Sequence, residues 1–314
     1  MERRVLAIVG PTASGKSKLG IEIAQKLQTE IISADSRQIY KELSIGTAKP
    51  NENDLKKVKH HFINHISLIE KYDVGKFVKE ANEIINQLHS ENKIPIVVGG
   101  SGLYVNSLLY GIFEGPSADE NIRQELEKEL QENGIESLLE KLRKFDLETY
   151  EKIDKKNPRR IIRALEVYYL TGRPISQLQK EKNQKSDFEN LVFGLQWERK
   201  KLYERINQRV DEMINAGLVY EVKEILSKFG EDVNIALQTV GYKEVIEFLK
   251  GKISYDEMIE LIKKNTRRYA KRQLTWFKKD KNIRWIEIQL EEDFNKVAKQ
   301  IINKIGESKN ERQN

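Results

Sequence analysis

The chain of 314 residues contains no cysteine. Disulfides and cysteine-ligated zinc are therefore excluded, and a reducing cytoplasm is the expected compartment. No apolar run approaches the ~18 residues that a membrane span needs. The amino-terminus passes almost at once into an apolar strand instead of a secretory leader, and no repeat of fixed period is present. Strong net charge is missing too: the balance is +6. That balance is uneven, because residues 263–284 hold ten Lys or Arg against one acid, Asp280. A local basic segment on an otherwise balanced chain points to a polyanionic partner; a solvated helix face is the competing reading.

What is present is most informative at Gly10-Pro11-Thr12-Ala13-Ser14-Gly15-Lys16-Ser17, which satisfies G-x-x-x-x-G-K-[ST]. It directly follows the apolar run 5–9 and precedes Leu19, Ile21, Ile23, Ala24 and Leu27 at helical spacing. Strand, glycine-rich loop and helix stand in the order that a phosphate cradle requires. Loop N–H groups and the positive end of the helix converge on an anion. Lys16 adds a point charge, and the Ser17 hydroxyl is a candidate Mg²⁺ ligand.

Strand-like runs at 4–9, 31–33, 62–66, 94–98, 191–195 and 283–288 alternate at first with helical patterns. This predicts an α/β fold, a P-loop parallel sheet wrapped by helices. From 117 to 190 only amphipathic helices are legible, at 119–131, 135–144, 146–153 and 158–171. The expected organisation is a core of 1–116 and 191–314 with an all-helical insertion domain at 117–190. Further helices are expected at 199–216, 218–229, 239–249 and 255–279, with fraying beyond Ile305.

Ligands of an open α/β sheet bind beyond the carboxyl ends of its strands. The run after the second strand, Asp35-Ser36-Arg37-Gln38, should therefore face the phosphate crevice. Asp35 has three roles open to it: metal ligand, general base, or cap of the next turn. The fourth strand ends in Gly99-Gly100-Ser101-Gly102, where glycines let a ligand approach the backbone closely and Ser101 offers a hydroxyl; a plain tight turn fits equally. Arg159, Arg163 and Glu166 share a helix that opens on Pro158, either as a salt-bridged face or as lid arginines. Lys264, Arg268, Lys271 and Arg272 share one side of 255–279 with Tyr269 and Trp276 interleaved, which suits nucleic-acid contact. His60, His61 and His65 read as a strand start and not a metal site.

Taken in order, these segments resemble the bacterial tRNA dimethylallyltransferases of the IPP transferase family. The shared motifs are Gly10–Ser17, Asp35–Tyr40, Gly46–Pro50, His60-His61-Phe62, Gly99–Tyr104, Arg160–Glu166, Gln238–Lys243 and Thr266–Phe277. The resemblance implies transfer of a dimethylallyl group from dimethylallyl diphosphate to N6 of adenosine 37 in the tRNA anticodon stem-loop, by a cytoplasmic monomer. It implies that Gly10, Pro11, Thr12, Ala13, Ser14, Gly15, Lys16 and Ser17 hold the diphosphate, with Mg²⁺ on Ser17. Asp35 would be the general base, assisted by Lys16, Ser101 and Arg163. Contacts to tRNA would come from Asp35, Ser36, Arg37, Gln38, Ser101, Arg123, Arg159, Arg160, Ile161, Ile162, Arg163, Gln238, Thr239, Val240, Gly241, Tyr242 and Lys243. To these the basic helix adds Arg268 and Arg272. A small-molecule or nucleoside kinase using a nucleoside triphosphate is the main alternative, and an RNA-binding module switched by nucleotide is another.

Overall fold

A computed structural model describes residues 3–111, 115–116, 118–181, 187–230, 234–290 and 293–310. In chain order the elements are β1 (Arg4–Val9), α1 (Lys16–Leu27), β2 (Ile31–Ser33), α2 (Glu52–Lys57), β3 (His60–His61), α3 (Val74–Ser90), β4 (Ile96–Gly99) and α4 (Gly102–Tyr110). Then come α5 (Glu120–Phe145), α6 (Leu147–Lys152), α7 (Pro158–Thr171), α8 (Ile175–Glu181) and β5 (Glu189–Trp197). The chain continues with α9 (Arg199–Asn215), α10 (Leu218–Phe229), α11 (Asn234–Leu237), α12 (Tyr242–Leu249), α13 (Tyr255–Phe277), β6 (Arg284–Ile288) and α14 (Phe294–Asn310). It divides into two compact units, 1–109 with 187–314, and 110–186. The expected insertion bounds were 117 and 190; Glu189 and Asn190 instead open β5.

The first unit is built on a six-stranded parallel sheet of order β3-β2-β4-β1-β5-β6. Central β1 is buried at every position, as a parallel strand covered on both faces must be. Its apolar residues form one core with α1, α9 and α14, from Leu6 and Ile8 through Ile23 and Leu202 to Ile301. A second core joins α9, α10, α12 and α13 through Val210, Val222, Val245 and Ile262.

The sequence-based strand at 62–66 does not form. Pairing with β2 is confined to His60 and His61, because Phe62 (φ 63°) and Asn64 (φ 53°) turn left-handed and break the pleat. Ile66 retains a lone bridge to Tyr40. The expected helix at 239–249 begins only at Tyr242, as α12 with Gly241 (φ 100°) at its N-cap, and the short α11 lies before the expected range. α14 runs through Asn310 where fraying was expected beyond Ile305.

In the second unit, α5 is interrupted at Gly134 (φ 78°, ψ 177°), a region open essentially to glycine alone. This matches the two helices read on either side of that position. α7 has Asn157 as N-cap, accepting from the Arg160 N–H, and Pro158 in its first turn, where no hydrogen-bonding N–H is needed. Leu126, Leu138, Leu142, Ile161 and Leu165 make this unit's own core. Expectations for 182–186 and 311–314 lie outside the described residues.

Candidate active site at the carboxyl ends of the strands

Between β1 and α1 the loop coils through two left-handed positions, Ala13 (φ 62°) and Gly15 (φ 85°). Gly15 must lack a side chain for a second reason: a Cβ there would lie 2.1 Å from the Phe294 ring. Gly15 is also the N-cap of α1 and supplies no side-chain cap, and the first turn carries no acid. The orphan N–H groups and the helix dipole are thus left to an anion.

Distant side chains hold the loop. Gln273 Oε1 accepts from the Thr12 N–H at 2.8 Å, and Arg209 Nη1 donates to Thr12 Oγ1 at 3.3 Å. Arg205 Nε donates to the Ala13 carbonyl at 2.9 Å, and its guanidinium sits 4.4 Å from the Trp197 ring centroid. Trp197 Nε1 in turn donates to the Ser14 carbonyl at 3.0 Å. Burial pushes the Lys16 amine down to about 8, with Asp35 opposing the fall and Arg209 adding to it. A phosphate group in the loop favours the charged form and offsets that burial.

Asp35 lies beyond β2, and its Oδ1 accepts from the N–H groups of Arg37 (2.9 Å) and Gln38 (3.3 Å). Turn cap and cavity carboxylate are therefore compatible roles, since Asp35 also lines the cavity described below. Ser101 Oγ accepts from the Ser36 N–H at 3.0 Å and so fixes the residue beside Asp35. Gln38 Nε2 donates to the carbonyls of Thr47 (3.1 Å) and Ala48 (3.2 Å), which ties the Asp35 turn to the 46–50 loop.

The glycines that end and follow β4 have a different reason from either one read in the sequence. A Cβ at Gly99 would meet the Ala34 carbonyl oxygen at 2.3 Å, at Gly100 Gln273 Nε2 at 2.4 Å, and at Gly102 the Trp276 ring at 2.3 Å. Close packing of β2 and α13 demands them, and none of the three is left-handed.

These parts open into one cavity of about 710 Å³, within the range of small-molecule sites. Lys16, Asp35, Arg205, Arg209, Tyr269 and Arg272 are on its wall. The Tyr269 hydroxyl is held well above its usual range, chiefly by burial and also by the charge on Asp35. Gln238, Thr239, Val240 and Gly241 add the turn before α12. Tyr242 is fully buried, and its hydroxyl donates to Glu221 Oε1 at 2.6 Å. Glu221 also accepts from the N–H groups of Ser44, Ile45 and Gly46. Tyr242, expected at the RNA, thus braces the 44–46 loop instead. Lys243 is half-buried, 3.6 Å from Glu244. Arg268 and Arg272 stand on the exposed side of α13.

Among the described residues no group of three or more His, Cys, Asp or Glu gathers to hold a metal. His61 and His65 are instead bonded to Glu30 and Glu80. An all-protein cage for Mg²⁺ is therefore lacking among the described residues. A Mg²⁺ that keeps water and substrate phosphate needs only one or two protein oxygens, and Ser17 and Asp35 share the cavity wall. Ser14 Oγ, buried in the loop without a hydrogen-bond partner among the described residues, is a further donor for an anion. The donor set fits a phosphate-bound Mg²⁺.

Within the insertion, Glu166 is fully buried and accepts from Arg123 Nε (2.8 Å), Arg163 Nη1 (2.6 Å) and the Asp119 N–H (2.9 Å). Arg163 Nη2 also donates to the Pro116 carbonyl at 2.8 Å. The salt-bridged reading of Arg163 and Glu166 is thus realised. Arg159 and Arg160 are exposed. Ile161 and Ile162, expected to touch RNA, are buried at 0% and 7% exposure because they face the insertion's core. Sequence reasoning assigned no role to Arg205, Arg209 or Gln273. Their signal lay in two polar positions one turn apart on α9 and one amide on a basic helix.

Fold and loop together define a P-loop α/β protein with an anion site at the sheet's carboxyl edge and a helical insertion. The chain belongs to the IPP transferase family, whose model matches residues 38–280. It is 47% identical to the tRNA dimethylallyltransferase of Acetivibrio thermocellus over 90% of this chain and 91% of that protein. With the same enzyme of Carboxydothermus hydrogenoformans it shares 45% identity over 98% of each. Among solved structures, the full-length tRNA isopentenylpyrophosphate transferase of Bacillus halodurans is similar at TM-score 0.72, with 36% identity over 100% of both chains. A eukaryotic dimethylallyltransferase acting on tRNA is similar at TM-score 0.78 and 29% identity, over 91% of this chain and 74% of that one.

Proposed function

We propose that this protein transfers a dimethylallyl group from dimethylallyl diphosphate to N6 of adenosine 37 in tRNA. One observation carries the reading: the anion loop, the Asp35 carboxylate and the basic helix α13 open into a single cavity. The allylic C1–O bond breaks, the N6–C1 bond forms, pyrophosphate leaves, and N6 gives up one proton.

The loop N–H groups, Lys16 and Arg209 bind the diphosphate and stabilise charge that grows on the leaving group. Bound Mg²⁺, held by Ser17, would supply Lewis-acid neutralisation of the same oxygens. Asp35 accepts the N6 proton as general base. Ser101 orients the Asp35 turn through Ser36. An adenine stacked in the anticodon loop must be flipped into the cavity to reach C1, and water must be kept from the developing allyl cation. Arg268 and Arg272 on α13, with Arg159 and Arg160 of the insertion, supply cationic contacts to the RNA backbone.

The test is incubation of the purified protein with labelled dimethylallyl diphosphate and an unmodified tRNA transcript, followed by nucleoside mass spectrometry. The expected product is N6-dimethylallyladenosine at position 37. Phosphorylation of a metabolite by a nucleoside triphosphate, without label transfer, would establish the kinase reading instead.

A further inference from the structure

Gln273 is a buried amide, 6% exposed, about one turn before the end of a helix whose outer face is basic. Both ends of that amide are used. Its oxygen accepts the Thr12 N–H of the anion loop at 2.8 Å, and its nitrogen donates to the Gly100 carbonyl at 2.9 Å. The partners accept only this orientation, because one is a donor and the other an acceptor. Gly100 is denied a side chain by the same contact, and the Cβ it lacks would lie 3.5 Å from both Lys16 Cε and the Gly10 carbonyl oxygen. One side chain thus clamps the loop that begins at β1 to the turn that ends β4, and roots both in α13. By capping the Thr12 N–H with a neutral oxygen, it also removes that amide from the set free to meet a phosphate.

We propose that Gln273 is the positioning residue of the donor loop, selecting through its two-ended amide which loop N–H groups face the diphosphate. The proposal rests on the prenyl-transfer reading for the identity of the anion. Gln273 shares the wall of the cavity with Lys16, Asp35, Arg205, Arg209, Tyr269 and Arg272.

The experiment measures binding of pyrophosphate with Mg²⁺, binding of an anticodon stem-loop, and thermal midpoint, for the intact protein and three variants. Lys16→Ala is the reference for anion binding at the loop. Gln273→Met keeps the volume and removes both bonds. Gln273→Glu carries an acceptor-only carboxylate at high pH, but when protonated it again offers one acceptor and one donor. Gln273→Met is expected to weaken pyrophosphate about tenfold at every pH, with stem-loop affinity within twofold and the thermal midpoint held. Gln273→Glu should be at least as weak at pH 8 and recover towards the unmodified protein, measured at the same pH, as pH falls to 5.5. Two results would overturn the proposal: pyrophosphate affinity unchanged in Gln273→Met, or a loss in Gln273→Glu that does not depend on pH. If Lys16→Ala alone left pyrophosphate binding intact, the donor reading itself would fail, whatever Gln273 did.

Discussion

Two arginine-rich regions of this molecule differ in what their charges face. In the insertion, Arg123 and Arg163 converge on Glu166, a carboxylate with no exposure. Their cationic forks are matched by a carboxylate, an arrangement that braces α5 against α7. At the carboxyl edge of the sheet, Lys16, Arg205, Arg209 and Arg272 line one cavity together with the aspartates Asp35 and Asp54. There the local excess of positive charge favours an anion, and the Lys16 amine is lowered, chiefly by burial, with Asp35 opposing the fall and Arg209 adding to it. The lesson is about partners: an arginine beside a buried carboxylate builds structure, whereas one beside a glycine loop builds a binding site.

The sharpest break of this comparison is removal of the carboxylate beside the anion loop in the cationic cavity. Asp35→Asn keeps the oxygen that caps the Arg37 and Gln38 N–H groups while removing the proposed general base. Turnover should fall by about 10²–10⁴, with stem-loop affinity and thermal midpoint little changed. Single-turnover transfer at saturating donor measures it. An unaltered rate would remove Asp35 from the proton path.

The insertion should respond in stability and not in chemistry. Burial alone would raise the Glu166 carboxyl, but hydrogen bonds from Arg163, Arg123 and the Asp119 N–H outweigh it and hold the group below its ordinary value. A depressed carboxyl contributes stability that is present above the unfolded value of about 4.3 and is lost as pH falls through the lower folded one. Glu166→Gln should therefore cost about 2 kcal/mol at pH 7, discounted from a fully buried pair because both arginines are about one third exposed. The difference from the unmodified protein should shrink towards pH 3. Hydrogen exchange across 116–171 reads it, and pyrophosphate binding to the sheet unit should stay constant. Equal protection in the two proteins would mean that Glu166 braces nothing.

What was legible in the sequence was local. The spacing of Gly10, Gly15, Lys16 and Ser17, the Pro158 helix start and the alternation that placed β1 and β2 depend on neighbours within a few residues. The clamp on the loop does not: Gln273 meets partners 261 and 173 positions away, and Arg209 meets Thr12 across 197. An amide in a basic amphipathic helix reads as one more polar residue on a wet face until docking buries it. The reason for Gly99, Gly100 and Gly102 was hidden likewise, because ligand access and helix packing make the same demand on a side chain. β3 was misplaced for a local reason that periodicity does not encode, the reversed φ at Phe62 and Asn64.

The smallest expected effect lies on the outer face of α13, where Arg268 and Arg272 are exposed and Gln273 is buried one residue on. Exposed cations act on RNA by releasing counterions, at a slope of about 0.7 per phosphate contact for single strands. Replacing both by Ala should therefore flatten the plot of log affinity against log salt by up to about 1.4. Affinity at moderate salt should fall about tenfold, with kcat at saturating tRNA unchanged within a factor of two. Because Arg272 also reaches the cavity wall, the single variants separate two jobs. Arg268→Ala should alter only the salt slope, whereas Arg272→Ala should also raise the KM for dimethylallyl diphosphate. Identical behaviour of the two would place Arg272 wholly with the RNA-facing charges and narrow the donor site to Lys16, Arg205 and Arg209.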